Sequence, residues 1–289
     1  FIPGKAPFDL FQQGGSFGLR LYVRNILIQE RCEGLLPEYM RFVRGIVDSP
    51  DLPLNVSREL LQTDRQLKQI SKKLVKKILD VLLDMQSENA EDYLTFWSEY
   101  GRIIKEGVHG DYENREKLSN LLMFQSTWDS EKMTTLKDYV RRMPADQEEI
   151  YYLTGESREA LEISPQLEIF KDKGYEVLLL TDPIDEIVAS ALMIYDEKKL
   201  KPIGKGSVDL GNEEEKKARE EEIKQKTEEL SSMLEFMQKR IDDDVKEVRL
   251  SSRLTTSPVC IVVDDHQNSP NLDRILKQVK KDHEPKQKY

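Results

Sequence analysis

Between residues 149 and 181, two short apolar runs flank a helical pattern. The first run spans residues 149–154, and the second spans residues 176–181, with four successive apolar positions. The helical pattern covers residues 157–173 and ends at Gly174, a typical helix terminator. Parallel strands need a connection of a dozen or more residues, and continuously apolar strands are typical of buried parallel sheets. The stretch therefore predicts a βαβ unit.

Upstream of this unit, the chain is rich in amphipathic helical patterns. Residues 19–28 have the composition of a strand, and residues 38–47 predict a short helix or turn. Further helices are predicted over residues 91–106, 115–124 and 136–143, the first of them ended by Gly107 and Gly110. One apolar stripe comprises Leu67, Ile70, Leu74, Ile78, Leu82 and Met85, and a second comprises Leu94, Trp97, Tyr100 and Ile104.

Downstream of the βαβ unit, the composition changes. Residues 201–212 are dominated by Gly, Lys and Asp, which indicates a domain boundary. A long charged helix is predicted over residues 213–244, followed by two strands at 245–250 and 258–263. A further helix begins at residue 268, and the predicted fold class is α/β (α+β).

Composition excludes several classes of protein. The 289 residues carry a net charge of −10, which argues against general nucleic-acid binding. No apolar run approaches the roughly 20 residues of a membrane-spanning helix. Two cysteines, Cys32 and Cys260, are too few for a disulfide framework or a zinc site, so a reducing cytoplasm is expected. The chain begins at Phe1 without a signal-peptide pattern, and we expect it to be part of a longer protein.

No complete active-site motif is present. The sequence contains no phosphate-binding glycine loop, dinucleotide fingerprint, zinc-protease motif or nucleophile elbow. His109, His266 and His283 are far apart and are interpreted as solvated loop residues. Asp264 and Asp265 are interpreted as a solvated turn, and no metal site is predicted.

Residues 52–62 form the segment with the strongest functional signal. Pro53 keeps its neighbour extended, Asn55 and Ser57 are alternative helix N-caps, and Arg58 follows near the helix start. A cation is unfavourable there because the helix N-terminus is positive, so Arg58 is a candidate to serve a partner group such as a terminal phosphate. The alternative is a surface arginine paired with Glu59 or Asp51.

Several motifs resemble the middle domain of the 90-kDa heat-shock chaperones, most closely their bacterial members. They occur in the family's order over nearly the whole chain. The motifs are Phe1-Ile-Pro-x-x-Ala-Pro-Phe-Asp-Leu-Phe11, Leu21-Tyr-Val-Arg24, Phe42-Val-Arg-Gly-x-Val-Asp-Ser49, Asp51-Leu-Pro-Leu-Asn-Val-Ser-Arg-Glu59, Phe96-Trp97, Lys105-Glu-Gly107, Asn114-Arg-Glu116, Tyr151-Tyr-Leu-Thr154, Glu176-Val-Leu-Leu-Leu180, Asp185-Glu186 and Val248-Arg-Leu-Ser-Ser-Arg-Leu254.

The resemblance implies a domain organisation. Residues 1–205 would form the middle domain, with two α/β layers joined by a helical segment. Its parts would be residues 1–62, the helical linker 63–125 and a small βαβ part at 126–205. Residues 206–289 would be a partial, mixed α/β C-terminal domain without the helices that dimerise the family. The family's N-terminal ATP-binding domain would be absent.

The resemblance also implies a catalytic role for the 52–62 loop. In the family, the arginine matching Arg58 contacts the γ-phosphate of ATP held by the N-terminal domain. The residue matching Gln62 supports the loop, and the one matching Asn55 helps to hold the arrangement. The full-length protein would therefore be an ATPase that uses ATP with Mg²⁺, whereas this chain alone would bind no cofactor and be inactive.

Client binding is implied for a second region. The helix predicted over residues 269–281 matches an amphipathic helix that contacts unfolded clients, and ordinary packing is an equal alternative. Ile187 and Val188 are weaker client candidates, and Leu27 matches an exposed apolar position but also fits a strand core. The apolar residues of the predicted helix are Leu272, Ile275, Leu276 and Val279.

The resemblance further implies partners. The lysines of residues 68–77 could dock the 70-kDa heat-shock chaperone, although a solvated helix face is the alternative. Homodimerisation is expected through a region outside this chain, and no nucleic acid or membrane partner is expected. Two other functions stay open: a stand-alone protein-binding scaffold, and the transducer domain of a DNA gyrase B or MutL type ATPase. That class uses a Gln-Thr-Lys loop, whereas Gln62-Thr63 is followed here by Asp64.

Overall fold

The computed structural model describes most of the chain, in two compact units that alternate along the sequence. The first unit comprises Phe1–Met123, Thr135–Lys137 and Ile184–Met193, and the second comprises Phe124–Thr134, Asp138–Pro183 and Ile194–Tyr289. The residues outside the description are 12–17, 53–64, 207–209, 212, 242, 244, 265–266, 268, 270 and 275–289.

The first unit contains a three-stranded sheet. Strand β1 (Leu19–Val23) pairs antiparallel with β2 (Ile26–Cys32) and parallel with β3 (Ile46–Asp48), in the order β2-β1-β3. The prediction of one strand over residues 19–28 is wrong, because Arg24 and Asn25 form a hairpin turn. Their φ angles of 50° and 64° are both positive, as a tight two-residue hairpin requires.

Three long or medium helices complete most of this unit. They are α1 (Arg65–Glu88), α2 (Ala90–Gly110) and α3 (Arg115–Leu121). The predicted stripe of α1 is confirmed at Leu67 and Leu82, although Val75 and Leu79 are also buried. In α2 the prediction for Leu94 is wrong, since that side chain is exposed, whereas Trp97, Tyr100 and Ile104 are buried as predicted.

Aromatic rings from α2 form the centre of the unit. The Phe42 ring lies 5.5 Å from the Phe96 ring and 5.0 Å from the Tyr100 ring, measured between centroids. Tyr93 lies 5.8 Å from Phe96 and 6.2 Å from Trp97. Such pairs prefer tilted and edge-on geometries at these separations, which gives the core a defined arrangement as well as buried apolar area.

Gly107 lets a second aromatic residue approach α2 closely. A Cβ at Gly107 would lie 2.7 Å from Cγ of Tyr39, which is buried in the turn Glu38–Met40. The Tyr39 hydroxyl donates to Asp111 Oδ2 at 2.7 Å, and burial raises the pKa of that hydroxyl well above its usual range. The helix continues past Gly107 to Gly110, so Gly107 does not end the helix. Its lack of a side chain makes room for the Tyr39 ring.

The second sheet has six strands in the order β5-β4-β7-β6-β9-β8. Its centre is parallel, with β6 between β7 and β9, and antiparallel strands flank this centre. The predicted βαβ unit is therefore confirmed. The strands are β4 (Met123–Ser126), β5 (Thr134–Thr135), β6 (Glu149–Thr154), β7 (Val177–Leu180), β8 (Ile194–Tyr195) and β9 (Lys198–Pro202).

Short helices connect these strands. They are α4 (Leu136–Arg142), α5 (Arg158–Glu162) and α6 (Glu168–Lys173). The single helix predicted over residues 157–173 is divided because Ser164 caps a separate turn, Pro165–Leu167. Gly174 ends α6 with a left-handed φ of 69°, as predicted. The sheet packs on this connection through the Tyr151 and Phe170 rings, whose centroids are 4.8 Å apart.

The chain beyond β9 differs from its prediction in two ways. The charged helix is two helices, α8 (Glu213–Glu229) and α9 (Ser231–Arg240), which meet at the non-helical Leu230. Neither predicted strand at 245–250 or 258–263 is formed. In the described part of both segments, the β pairing is a single parallel bridge between Val263 and Lys205.

Residues 251–263, termed here the return segment, are held by two charged side chains, Glu168 of α6 and the segment's own Arg253. The Glu168 carboxylate accepts backbone hydrogen bonds from Thr255 at 2.7 Å, Thr256 at 2.9 Å and Ser257 at 3.1 Å. The Ser257 hydroxyl, together with these amide donors, holds the pKa of Glu168 far below its usual range. Several charge-assisted bonds to one carboxylate make a strong anchor.

The second anchor of the return segment is Arg253, a buried cation. Its guanidinium donates to the Ile203 carbonyl at 2.7 Å and to the Lys205 carbonyl at 3.3 Å, and it also reaches Gly206. These carbonyls follow β9 directly, where the ladder has ended. Arg253 therefore satisfies backbone acceptors that would otherwise be buried at the end of the strand.

We expect Gly107→Ala to destabilise the first unit, because the new methyl group would collide with the Tyr39 ring. Alanine in a helix interior normally stabilises by about 0.5–1 kcal/mol, whereas overpacking a core costs about 1–3 kcal/mol. Urea unfolding should show a net loss of roughly 1–2 kcal/mol. Gly110→Ala is the control, since its Cβ would meet nothing within 4 Å. Equal stability of the two variants would contradict the packing role of Gly107.

We expect the Glu168 anchor to weaken in acid. A lowered folded-state pKa stabilises fully above the unfolded value, ordinarily 4.5, and this contribution declines as pH falls below it. The stability gap between the wild type and Glu168→Gln should therefore be constant from pH 8 to pH 5 and shrink towards pH 3. Urea unfolding across this range measures it, with Glu220→Gln on exposed α8 as the control. A gap independent of pH would refute the assignment.

Candidate functional site

The predicted catalytic residues Asn55, Arg58 and Gln62 lie outside the described residues. The structure describes the residues on either side of their loop, up to Leu52 and from Arg65 onward. The Ser49 amide donates to the Tyr22 carbonyl at 3.0 Å, and the Arg24 side chain donates to the Pro50 carbonyl at 3.3 Å. Leu52, the last described residue before the loop, is buried. These contacts attach the incoming end of the loop to the β1–β2 hairpin.

The outgoing end of the loop is also attached. Helix α1 begins at Arg65, and Leu67 in its first turn is buried. A Cβ at Gly34, in the turn Glu33–Leu35, would lie 3.2 Å from Leu67 Cδ2, so these two elements are in close contact. Both ends of the loop thus start from packed positions of the first unit.

A buried ion pair joins α2 to a further helix, α7 (Asp185–Leu192). Lys105 Nζ lies 2.6 Å from Asp185 Oδ1, and the two side chains are only 7% and 3% exposed. The same ammonium lies 5.9 Å from the centre of the Trp97 ring. Both residues belong to short motifs that the sequence analysis identified, at residues 105–107 and 185–186. Their juxtaposition was not predicted, because nothing local signals a pair separated by 80 positions.

Helix α7 exposes the client candidate Ile187. Its side chain is 46% exposed, whereas Val188, Ala189 and Leu192 are buried. The proposal of Val188 as a client contact is therefore wrong, since that side chain belongs to the core. Met193 follows the helix with a φ of 48° and is also exposed. Ile187 and Met193 thus place exposed apolar groups at two points of this short element.

Leu27 lies on the outer face of the first sheet. It pairs with Tyr22 across β1 and β2, and its side chain is 43% exposed. Ile46 on β3 is also exposed and pairs with Arg20. Arg20 and Tyr22 alternate with the buried Leu21, so they share one face with their cross-strand partners. The strand-core alternative for Leu27 is therefore wrong.

Among the four apolar residues of the predicted client helix, Leu272 is the one that the structure describes. Residues 271–274 form a helical turn, and Leu272 is half-buried. The Leu272 amide donates to the Ser269 hydroxyl at 3.0 Å, while Arg274 pairs with Glu156 at 2.7 Å. Ile275, Leu276 and Val279 lie outside the described residues.

The basic face of α1 is exposed along its length, at Lys68, Lys72, Lys73, Lys76 and Lys77. Lys72 pairs with Glu113 at 2.9 Å in an exposed bridge of little energetic value. Asp80, one turn further on, is hydrogen-bonded by Lys117, and this bond lowers the pKa of the carboxyl. The positive charge of this face is thus only partly neutralised within the described part.

Two other kinds of site are not found among the described residues. No group of three or more His, Cys, Asp or Glu side chains there is placed to hold a metal ion. None of the helices in that part of the chain has the length and apolarity needed to cross a bilayer.

Comparison with known proteins identifies the class. The family model for Hsp90 protein matches residues 1–289, the whole chain. The chain therefore belongs to the Hsp90 family of heat-shock proteins, and the resemblance seen in its motifs is confirmed.

Among curated relatives, the chain is similar to bacterial proteins named Chaperone protein HtpG. The one from Geobacter metallireducens is 52% identical over 283 residues, which cover 98% of this chain and 44% of that relative. The one from Mycobacterium tuberculosis is 49% identical over 277 residues, covering 96% and 42%. The chain thus spans less than half the length of these relatives.

A solved structure supports the fold. The middle domain of a Plasmodium falciparum heat shock protein matches with a TM-score of 0.63 and 31% identity, over 70% of this chain and 80% of that domain. The predicted α/β fold class is confirmed by this match and by the mixed sheets and helices described above.

Proposed function

We propose that this chain is the middle part, with some C-terminal sequence, of an ATP-dependent molecular chaperone. It provides an arginine to an ATPase site on another domain and an apolar surface to unfolded client proteins. The observation that carries the proposal is the match of the Hsp90 family over all 289 residues.

Arg58 is the proposed catalytic contribution. The guanidinium contacts the γ-phosphate of ATP and stabilises the negative charge that grows on the transferring phosphoryl oxygens. Gln62 supports the loop and Asn55 holds its conformation. Packed flanks at Leu52 and Leu67 favour this role, because a preorganised cation loses less freedom on reaching the phosphate.

We expect Arg58→Ala in the full-length protein to leave ATP affinity nearly unchanged and to slow hydrolysis at least about tenfold. Steady-state turnover and nucleotide binding, measured separately, test this expectation. Arg65→Ala is the matched control, since Arg65 is an exposed arginine just beyond the same loop. A normal rate of ATP turnover in Arg58→Ala would contradict the catalytic proposal and favour a protein-binding scaffold without an ATPase role.

The proposed client contacts Leu272, Ile275, Leu276 and Val279 belong to the second unit. A separate proposed client contact is Ile187 on α7, in the first unit. Its support is the exposure of Ile187, a large apolar side chain beside a buried helix face. Exposed apolar groups bind segments that a folded protein would bury, since both surfaces are removed from water. The ligand class is therefore unfolded or partly folded polypeptide.

We expect Ile187→Asp to weaken binding of a permanently unfolded protein, such as reduced and carboxymethylated α-lactalbumin. Loss of an apolar contact and burial of a charge should raise Kd roughly 5–10-fold. Fluorescence anisotropy of the labelled client measures Kd. Ile163→Asp is the control, because Ile163 is an isoleucine that is 84% exposed elsewhere in the chain. Equal weakening by both variants would show a nonspecific charge effect.

Partners beyond clients follow from the same proposal. The exposed lysines of α1 would bind an acidic surface of the 70-kDa heat-shock chaperone, and this contact should weaken as salt increases. The full-length protein would be a cytoplasmic homodimer that uses ATP with Mg²⁺. Dimerisation would use sequence that this chain does not contain.

A further inference from the structure

Helix α7 is short and weakly defined by its own sequence. It has eight residues, and Ile184 at its N-cap provides no side-chain hydrogen bond to the first turn. Helices of this length are not stable alone, so their position depends on tertiary contacts. Its first turn carries two acids, Asp185 and Glu186, and both are buried.

The apolar contacts of α7 do not determine its rotation. Val188, Ala189 and Leu192 are buried, but Ile187, immediately before them, is also a large apolar residue. Each residue of a helix is rotated by about 100° from the last, so a shift of one position would exchange Ile187 for Val188 in the core. Hydrophobic contact is non-directional and would tolerate that exchange.

The Lys105–Asp185 pair can determine the rotation of α7 that the apolar contacts leave open. Lys105 projects from the long, well-packed helix α2, and its ammonium lies 2.6 Å from Asp185 Oδ1, with both side chains buried. Removing two charges from water is costly, so only close geometry with the right partner is tolerated. The Asp185 position, two residues before Ile187, therefore determines which side of α7 faces solvent.

We propose that Lys105 and Asp185 are positioning residues for client binding, which hold α7 in the one rotation that exposes Ile187. This inference rests on the proposed client function of Ile187. Neither residue touches the client. Their effect is to keep the apolar contact available on the surface, where hydrophobic packing alone would accept a different arrangement.

The test compares charge removal with charge retention in the whole chain. Lys105→Met leaves Asp185 buried without its cation and should lower stability. Lys105→Met/Asp185→Asn removes both charges and should recover most of the lost stability, because uncharged replacements of a buried pair are often well tolerated. Lys105→Arg keeps the pair and should behave like the wild type.

Two readouts separate positioning from stability. Amides of residues 188–192 should exchange with solvent at least about tenfold faster in the double variant, with α2 amides unchanged. The Kd for carboxymethylated α-lactalbumin should rise at least about fivefold, despite near-normal stability. Lys117→Met/Asp80→Asn is the matched control, since it removes a half-exposed pair of the same unit and should change neither readout.

A stable double variant with wild-type exchange and wild-type client affinity would overturn the proposal. If the double variant does not fold, Lys105→Arg decides, because loss of client affinity with unchanged exchange would also overturn it. Ile187→Ala in the wild-type background separates this inference from its premise. Unchanged client binding there would refute the role of Ile187, while amide exchange would still show whether the pair holds α7.

Discussion

Helix α2 carries a broad apolar face, and the first unit is organised by the need to bury it. The aromatic rings of Tyr93, Phe96, Trp97 and Tyr100 are removed from water by different neighbours. The N-terminal segment is held by the Tyr100 hydroxyl, which donates to the Pro3 carbonyl at 2.8 Å. The Tyr39 turn fits against Gly107, and α7 is attached through Lys105. The N-terminal segment, the Tyr39 turn and α7, which carries Ile187, are thus all held by one helix.

The sequence predicted the elements whose signal is local. The βαβ unit was predicted because its strands are continuously apolar, and Gly174 was recognised because a left-handed terminator favours glycine. The hairpin at Arg24 and Asn25 was missed since neither residue is the glycine typical of such turns. The strands expected at 245–250 and 258–263 failed for another reason. Apolar alternation indicates a strand only where a neighbouring strand is available, and Glu168 and Arg253 hold the return segment instead.

The residues of the candidate site differ in how far the sequence predicts them. Arg58 is a candidate because a cation is unfavourable at the helix start that the sequence predicts there, and its proposed role comes from the family resemblance. Ile187 came from resemblance alone, and its exposure is consistent with that role. The Lys105–Asp185 pair was invisible to pattern reasoning, because each residue alone is an ordinary charged side chain. Only the fold brings the two charges together in a buried site.

The Glu168 anchor has a consequence for how the chain is made. The carboxylate binds the Thr255 amide, 87 residues later in sequence, and closing so long a loop is entropically costly. A ribosome adds about 5–20 residues per second, so Glu168 is synthesised on the order of 5–15 seconds before its partners. During that interval the Glu168 carboxylate lacks these partners, and once β9 is synthesised the carbonyls at its end lack Arg253. Completion of the return segment therefore comes seconds after synthesis of the βαβ unit, and nascent chains that stop before residue 253 lack both anchors.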